Sequence, residues 1–324
     1  MFEKLTAFID RHDFFILTTH DTADADGLGA QLAFASILSA KGKRFRIINA
    51  SPMPDHFRFM DPHGIVEHWD KQHELLPEQA AMIILDTGDA DNTGQMKSVI
   101  YRTREVFVFD HHEPKENSEF SGVCDSTAAS TCEMALEYAQ SAGFALDRDS
   151  AFALYTGIAY DTGFFAYTKT GQRTFRAALA LLTSGVNPNE TYCRLCEKKT
   201  IESLLLQQKA VSSMTLHNKN RIAMQVLHPA DFDETGALST DTDGIVNMPL
   251  RAEKIQVSLL FKQVKEGKVK CSLRSKGDFN IAAIAQELGG GGHINAAGFK
   301  SVMEMEKIIA KTLAMVSEKL EEQG

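Results

Sequence analysis

Six side chains in the first half of this chain have the types and spacing to bind hard cations. His20, Asp24 and Asp26 fall within seven residues, directly after the apolar run Phe14-Phe15-Ile16-Leu17. Asp86 ends a second apolar run, Ala81-Met82-Ile83-Ile84-Leu85, and Asp110-His111-His112 ends a third, Val106-Phe107-Val108-Phe109. Asp161 interrupts the apolar helical pattern from Ser150 to Tyr160, where an unpaired carboxylate is costly to bury and so faces a cation. Imidazole mixed with carboxylate suits Mn2+, Mg2+ or Zn2+ better than a metal that prefers thiolate. His20, Asp24, Asp26, Asp86, His111 and Asp161 supply six ligands, enough for two divalent ions. Two ions about 3.5 to 4 Å apart, bridged by a carboxylate, activate a shared water and clamp a phosphoryl group under in-line attack. Taken singly, each cluster has a plainer reading as a capped turn, a chance Asp-His-His in a loop, or an exposed turn acid.

The elements that must carry these residues follow from the hydrophobic pattern. Short runs rich in Val, Ile and Phe at 14–19, 44–48, 81–86 and 106–109 read as buried strands, and ligands collect beyond the carboxyl ends of such strands in open α/β sheets. Between them, Gln31 to Leu38 reads as a helix closed at Gly42, Cys132 to Ala142 as one closed at Gly143, and Thr174 to Ser184 as one closed at Gly185. Asp125 or Ser126 reads first as an N-cap. Gly27 and Gly29 would let a phosphate approach the start of the first helix, whose N–H groups and dipole favour an anion. His56, His63, His68 and His73 have no ligand spacing and read as surface or locally satisfied residues.

The fold class expected is α/β. Residues 1–190 form a parallel-sheet domain, 191–218 a helical connector, and 219–324 a smaller α/β domain with strands at 221–226, 255–261 and 269–273 and a helix at 281–287. In that second part Gly289-Gly290-Gly291-Gly292-His293 gives up much chain entropy, which suggests a backbone wrapped around a ligand. Arg274 and His293 would hold substrate phosphates.

Composition narrows the function. With 44% hydrophobic and 24% charged residues over 324, the chain is an ordinary globular sequence of about two domains. Its net charge of −9 argues against coating long DNA or RNA but leaves short nucleotides open. No basic segment precedes an apolar one at the start, and no apolar run is long enough to span a bilayer, so a cytoplasmic location without membrane attachment is expected. Five cysteines suit a reducing compartment, and Cys193 and Cys196 read as helix-face residues.

Five motifs together resemble the DHH/DHHA1 phosphoesterases, in particular the branch of nanoRNases and phosphatases of phosphoadenosine phosphate (pAp), over nearly the whole chain. They are His20-x3-Asp24-x-Asp26, Ile84-Leu85-Asp86-Thr87-Gly88-Asp89, Asp110-His111-His112, Asp161-Thr162-Gly163, and Ser272-Leu273-Arg274-Ser275 with Gly289 to His293. The resemblance implies two divalent ions, usually manganese, with magnesium or cobalt as alternatives. His20 and Asp24 would hold one, Asp26, His111 and Asp161 the other, and Asp86 would bridge them. It also implies His112 as general acid or phosphate contact, Asp110 as its orienting neighbour, and Arg274, Ser275, Gly291, Gly292 and His293 as nucleotide contacts. The substrates implied are short RNA oligonucleotides and pAp, with linear or cyclic dinucleotides (pApA, cyclic di-AMP) as the alternative. A RecJ-like exonuclease, a pyrophosphatase and a non-catalytic nucleotide sensor are more distant readings. No long nucleic acid is expected as a partner, and a homodimer is allowed. The chain departs from many relatives at Ala23, where they carry proline, and at Asn92-Thr93, where an arginine often stands; the second departure bears on how the outer phosphate is held.

Overall fold

A computed structural model describes residues 2–70, 80–113, 119–242, 244–264 and 267–322, with the side chain of His293 set aside. His73 therefore lies outside the described residues. The chain divides into two compact units, Met1–Lys198 and Lys199–Gly324.

The first unit runs α1 (Glu3–Asp10), β1 (Phe14–Thr18), α2 (Ala25–Ala40), β2 (Arg44–Asn49), β3 (Val66–His68), β4 (Ala81–Leu85), α3 (Lys97–Ile100), β5 (Glu105–Asp110), β6 (Ser121–Cys124), α4 (Thr131–Ser141), α5 (Arg148–Asp161), α6 (Gln172–Thr183) and α7 (Pro188–Cys196). Its six strands pair in the order β3-β2-β1-β4-β5-β6, every pair parallel. Side chains alternate between two cores, as a pleated strand requires. Phe15, Leu17, Ile83, Leu85, Phe107 and Phe109 face one, and Ile16, Met82, Ile84 and Val108 the other. The four central strands are thus apolar on both faces, which is why they stand out in the sequence. Helix α2 is buried nearly all round. Its small residues admit close neighbours: a Cβ on Gly29 would lie 2.6 Å from the Ala153 carbonyl oxygen of α5 and 2.7 Å from Cys132 Sγ of α4.

The strand order reverses between β1 and β4, so the connections that follow them leave to opposite faces and open a crevice at that switch point. The loops after β1 and β4 carry His20 to Asp26 and Asp86.

The second unit runs α8 (Ile201–Ser212), β7 (Thr215–His217), β8 (Ile222–Leu227), α9 (Pro229–Thr235), β9 (Val257–Gln263), β10 (Val269–Ser275), α10 (Ile281–Glu287), β11 (Gly291–His293), β12 (Ala296–Ser301) and α11 (Met305–Glu322). Its sheet has the order β11-β12-β10-β9-β8-β7, antiparallel except for β8 beside β9. The expected connector is divided: α7 belongs to the first unit, while Leu206 and Ala210 of α8 pack with Leu227, Ile245 and Leu260 in the second. No helix among the described residues is long and apolar enough to cross a membrane.

Candidate metal centre

The six expected ligands meet at the switch point. Asp24 caps α2, its Oδ1 accepting from the Asp26 and Gly27 N–H groups at 2.9 and 3.1 Å. The N–H groups expected to greet a phosphate are therefore occupied by the loop's own acid. Gly27 serves packing instead: a Cβ there would lie 2.4 Å from Thr19 Oγ1 and 3.4 Å from Asp86 Oδ2. Asp26, fully buried in the first turn of α2, sets its carboxylate against the start of α4, accepting from the Thr131 N–H at 2.6 Å and the Cys132 N–H at 2.8 Å. An acid at a helix N-terminus is favoured by the unpaired N–H groups and the dipole there.

Asp86 follows β4 with φ of 62°, a left-handed conformation that few residues other than glycine adopt and that recurs at functional sites. Its N–H still bonds the Phe109 carbonyl at 3.0 Å, so the sheet holds the residue while its side chain turns into the crevice. Oδ2 lies 3.6 Å from His20 Nε2, and Oδ1 lies 3.5 Å from His111 Nε2. His20 Nε2 is also 3.7 Å from Asp24 Oδ1. His111 Nε2 is 3.2 Å from Asp161 Oδ2 and 3.9 Å from Asp26 Oδ2. The other His111 nitrogen, Nδ1, donates to the Ala128 carbonyl at 3.5 Å, which leaves the Nε2 lone pair for the acids' side. Asp110 is buried and accepts from both the His112 N–H (3.2 Å) and Nδ1–H (2.8 Å), so it orients the more exposed imidazole.

Three sets of possible ligand atoms each lie within 4.8 Å of one another: His20, Asp24 and Asp86; Asp26, His111 and Asp161; and Asp86, His111 and His112. Asp86 and His111 each belong to two sets.

The electrostatics suit the binding of cations. Burial works against a charged His20, but Asp24 and Asp86 outweigh it and push the imidazole up to about 10. Burial also opposes the charge on Asp24, yet His20 and the two N–H groups hold it below its ordinary range. Asp86 moves well up, from burial and then from repulsion by Asp26. Asp161, the last residue of α5 and so at the negative end of that helix, is pushed up to about 8 by burial, then by Asp26 and Asp24. Burial lowers His111. The hydrogen bond to Asp110 raises His112 against burial, and it lowers Asp110, again against burial. Lys169, beyond the end of α5, acts on Asp161, His111 and His112 at longer range. Asp86 and Asp161, whose anionic forms are disfavoured, lie beside His111, whose neutral form is favoured, and such a donor set fits divalent cations.

The second unit treats its expected contacts differently. Arg274 lies on β10, Nη1 donating to the Leu273 carbonyl at 2.9 Å. Ser275, expected to face a nucleotide, is buried; its hydroxyl donates to the Phe279 carbonyl at 2.6 Å and accepts from Asn295 Nδ2 at 3.0 Å. It ties its own loop together. Two of the four glycines, Gly291 and Gly292, lie in an edge strand rather than a wrapping loop, pairing with Gly298 and Ala297 of β12. A Cβ on Gly290 would lie 2.1 Å from the Gly298 carbonyl oxygen and one on Gly292 2.4 Å from that of Ala296, whereas Gly291 faces open space. His293 ends β11. Of the scattered histidines, His63 pairs with Asp149 at 3.2 Å, His56 stacks near Phe57, and His68 is exposed at the end of β3.

One contributor escaped the sequence reading. Thr131, which reads only as part of a helix start, donates its hydroxyl to Asp86 Oδ1 at 2.9 Å as well as its N–H to Asp26.

Residues 15–158 match the DHH family, N-terminal domain, and residues 219–322 the DHHA1 domain. The bifunctional oligoribonuclease and PAP phosphatase NrnA of Thermus thermophilus is 29% identical over 95% of this chain and 90% of its own length. The cyclic-di-AMP phosphodiesterase GdpP of Bacillus subtilis is 25% identical over 94% of this chain, which spans 48% of that protein. Among solved structures, an exopolyphosphatase-related protein from Bacteroides fragilis superposes with a TM-score of 0.89 over 98% of this chain and 95% of that one, at 24% identity.

Proposed function

The chain belongs to the DHH family of phosphoesterases and carries its DHHA1 domain, and from that premise we propose that it is a two-metal enzyme that releases mononucleotides from very short RNA and dephosphorylates pAp. The observation that carries the reading is the Asp86 carboxylate, whose two oxygens face different ligand sets, as a bridge between two ions must. The NrnA relative, matched over nearly its full length, supports the substrate class.

In this reading His20 and Asp24 hold one ion, Asp26, His111 and Asp161 the other, with manganese as the metal. When bound, such ions lower the pKa of a shared water to about 7 and neutralise charge on the phosphoryl group. The protein's own part is positional. The sheet and the start of α4 fix the acids before substrate arrives, so no reorganisation is needed as charge develops. Asp110 favours the protonated form of His112 through Nδ1, and in that form the imidazole offers Nε2–H to a phosphate or leaving-group oxygen. Arg274 on the second unit contributes a cation to nucleotide phosphates.

The GdpP relative favours a second reading, hydrolysis of linear or cyclic dinucleotides such as pApA or cyclic di-AMP. Incubating the protein with Mn2+ and, separately, pAp, pApA, a trinucleotide RNA, cyclic di-AMP and pyrophosphate ranks the two. The fastest turnover is expected for pAp and short RNA. Preference for cyclic di-AMP would transfer the assignment to the second reading, and preference for pyrophosphate would overturn both.

A further inference from the structure

We infer that Thr131 is a positioning residue whose hydroxyl sets the plane of the Asp86 carboxylate, and through it the capacity of the centre to take two ions rather than one. The inference rests on the two-ion reading above. Thr131 is fully buried at the first position of α4. It does not cap its helix, because Ser130 does, accepting from the Glu133 N–H at 3.0 Å. Several threonine hydroxyls within helices of this chain bond back to the carbonyl four residues earlier, as Thr156 does to Phe152, Thr183 to Leu179 and Thr312 to Ile308. At the first position of a helix no such carbonyl exists, and the Thr131 hydroxyl instead crosses to Asp86 Oδ1.

The consequence is geometric. An aspartate carboxylate turns easily about its last torsion, whose energy profile is broad. Asp86 has to keep Oδ2 toward His20 and Oδ1 toward His111 at the same time. On the Oδ2 side Gly27 carries no side chain to hold it, since only an added Cβ would reach it, at 3.4 Å. On the Oδ1 side the Thr131 hydroxyl holds it, using one lone pair and leaving the other for an ion. Because the Thr131 N–H also holds Asp26, one residue ties together two acids assigned to the centre. Removing the hydroxyl leaves the Asp26 contact and the helix start in place but frees the Asp86 plane. One ion would then still find a full set of donors, while the second would lose the Asp86 oxygen that faces it.

The test is a Mn2+ titration of the full chain without substrate, by calorimetry and by electron paramagnetic resonance, which separates single from coupled Mn2+ pairs. The variants are Thr131→Val, which keeps shape and N–H, and Thr131→Ser, which keeps the hydroxyl, with Thr131→Ala standing in should the valine variant not fold. Wild type and Thr131→Ser are expected to bind a coupled pair with affinities within about threefold of each other. Thr131→Val is expected to keep one site and weaken the second by about 10- to 100-fold, the usual effect of losing a partner of a ligand. A coupled pair of wild-type affinity in Thr131→Val, or the same loss in Thr131→Ser, would overturn the inference. A wild-type chain that takes a single Mn2+ would overturn the two-ion reading itself and this inference with it, a result visible before any variant is compared.

Discussion

Metal binding to this centre must displace protons, and the number can be worked from the structure. At pH 7 a histidine raised to about 10, as His20 is, carries its proton in all but roughly one molecule in a thousand. Asp161, at about 8, is protonated in all but roughly one in ten. An ion needs the His20 lone pair and an Asp161 oxygen, so filling both positions releases about two protons near neutral pH, and Asp86, also raised, adds to that number. Protons compete with the ions, so affinity rises with pH. The combined affinity should gain at least about two powers of ten per pH unit just below pH 8, and less above pH 8 once Asp161 has lost its proton. Calorimetry in buffers of different ionisation enthalpy at pH 6, 7 and 8 counts the protons directly. Because ligand stabilisation grows as the logarithm of concentration over Kd, the Mn2+-induced rise in Tm should shrink as the pH is lowered from 8 to 6. Release of fewer than about one proton at pH 7, or an affinity indifferent to pH, would refute this electrostatic account.

Three further outcomes are expected. Asp86→Asn should lower kcat by several orders of magnitude without lowering the Tm of the metal-free protein, because the variant keeps a side chain that tolerates positive φ and relieves repulsion from Asp26; retention of more than about a tenth of kcat under saturating Mn2+ would remove Asp86 from the bridging role. In a length series of labelled RNA at fixed salt, kcat/KM should peak at about two to five nucleotides, since a chain of net charge −9 offers few phosphate contacts, and Arg274→Ala should raise KM more than it lowers kcat; a 24-mer degraded as efficiently as a 3-mer would contradict this. Gly290→Ala and Gly292→Ala should lower the Tm while Gly291→Ala should leave it within a degree or so, and thermal melts showing the reverse order would mean that the strand pairing around β11 is misassigned.

What the sequence reveals about the fold depends on how each element is buried. Strands β1, β2, β4 and β5 and helices α2, α4, α5 and α6 are legible because long apolar runs and glycine stops mark them. Strands β3 and β6 are not, being edge strands of three and four residues, Val-Glu-His and Ser-Gly-Val-Cys, too short and too polar for a period of two to emerge. Helix α11 did carry a signal: Ile308, Thr312, Val316 and Leu320 recur every fourth residue and are buried. Attention to chemistry alone passes over such a stripe, because nothing reactive lies on it. The break between α7 and α8 is hidden for a different reason, since Glu197-Lys198-Lys199-Thr200 is as compatible with a continuing polar helix as with its end until Thr200 is seen to cap α8.

The acids and imidazoles after the strands and the run Gly289 to Gly292 differ in how much of their placement can be read from the sequence. Acids and imidazoles at the ends of apolar runs could be gathered in advance because a parallel sheet brings all its carboxyl ends to one edge, so topology alone makes neighbours of residues about 90 positions apart, such as His20 and His111. Glycine carries no such directional information. Its missing side chain admits a ligand and a neighbouring strand equally well, and in Gly289 to Gly292 the neighbour is β12, whose carbonyl oxygens occupy the space that a Cβ at 290 or 292 would need. Gly289 and Gly291 are left with room beside them, and of the two only Gly291 lies on the edge strand β11. Thr131 fails to stand out for the converse reason. Its sequence neighbours explain it completely as a helix start, and the hydroxyl that matters points at a residue 45 positions away, a contact that exists only once β4 and α4 have packed.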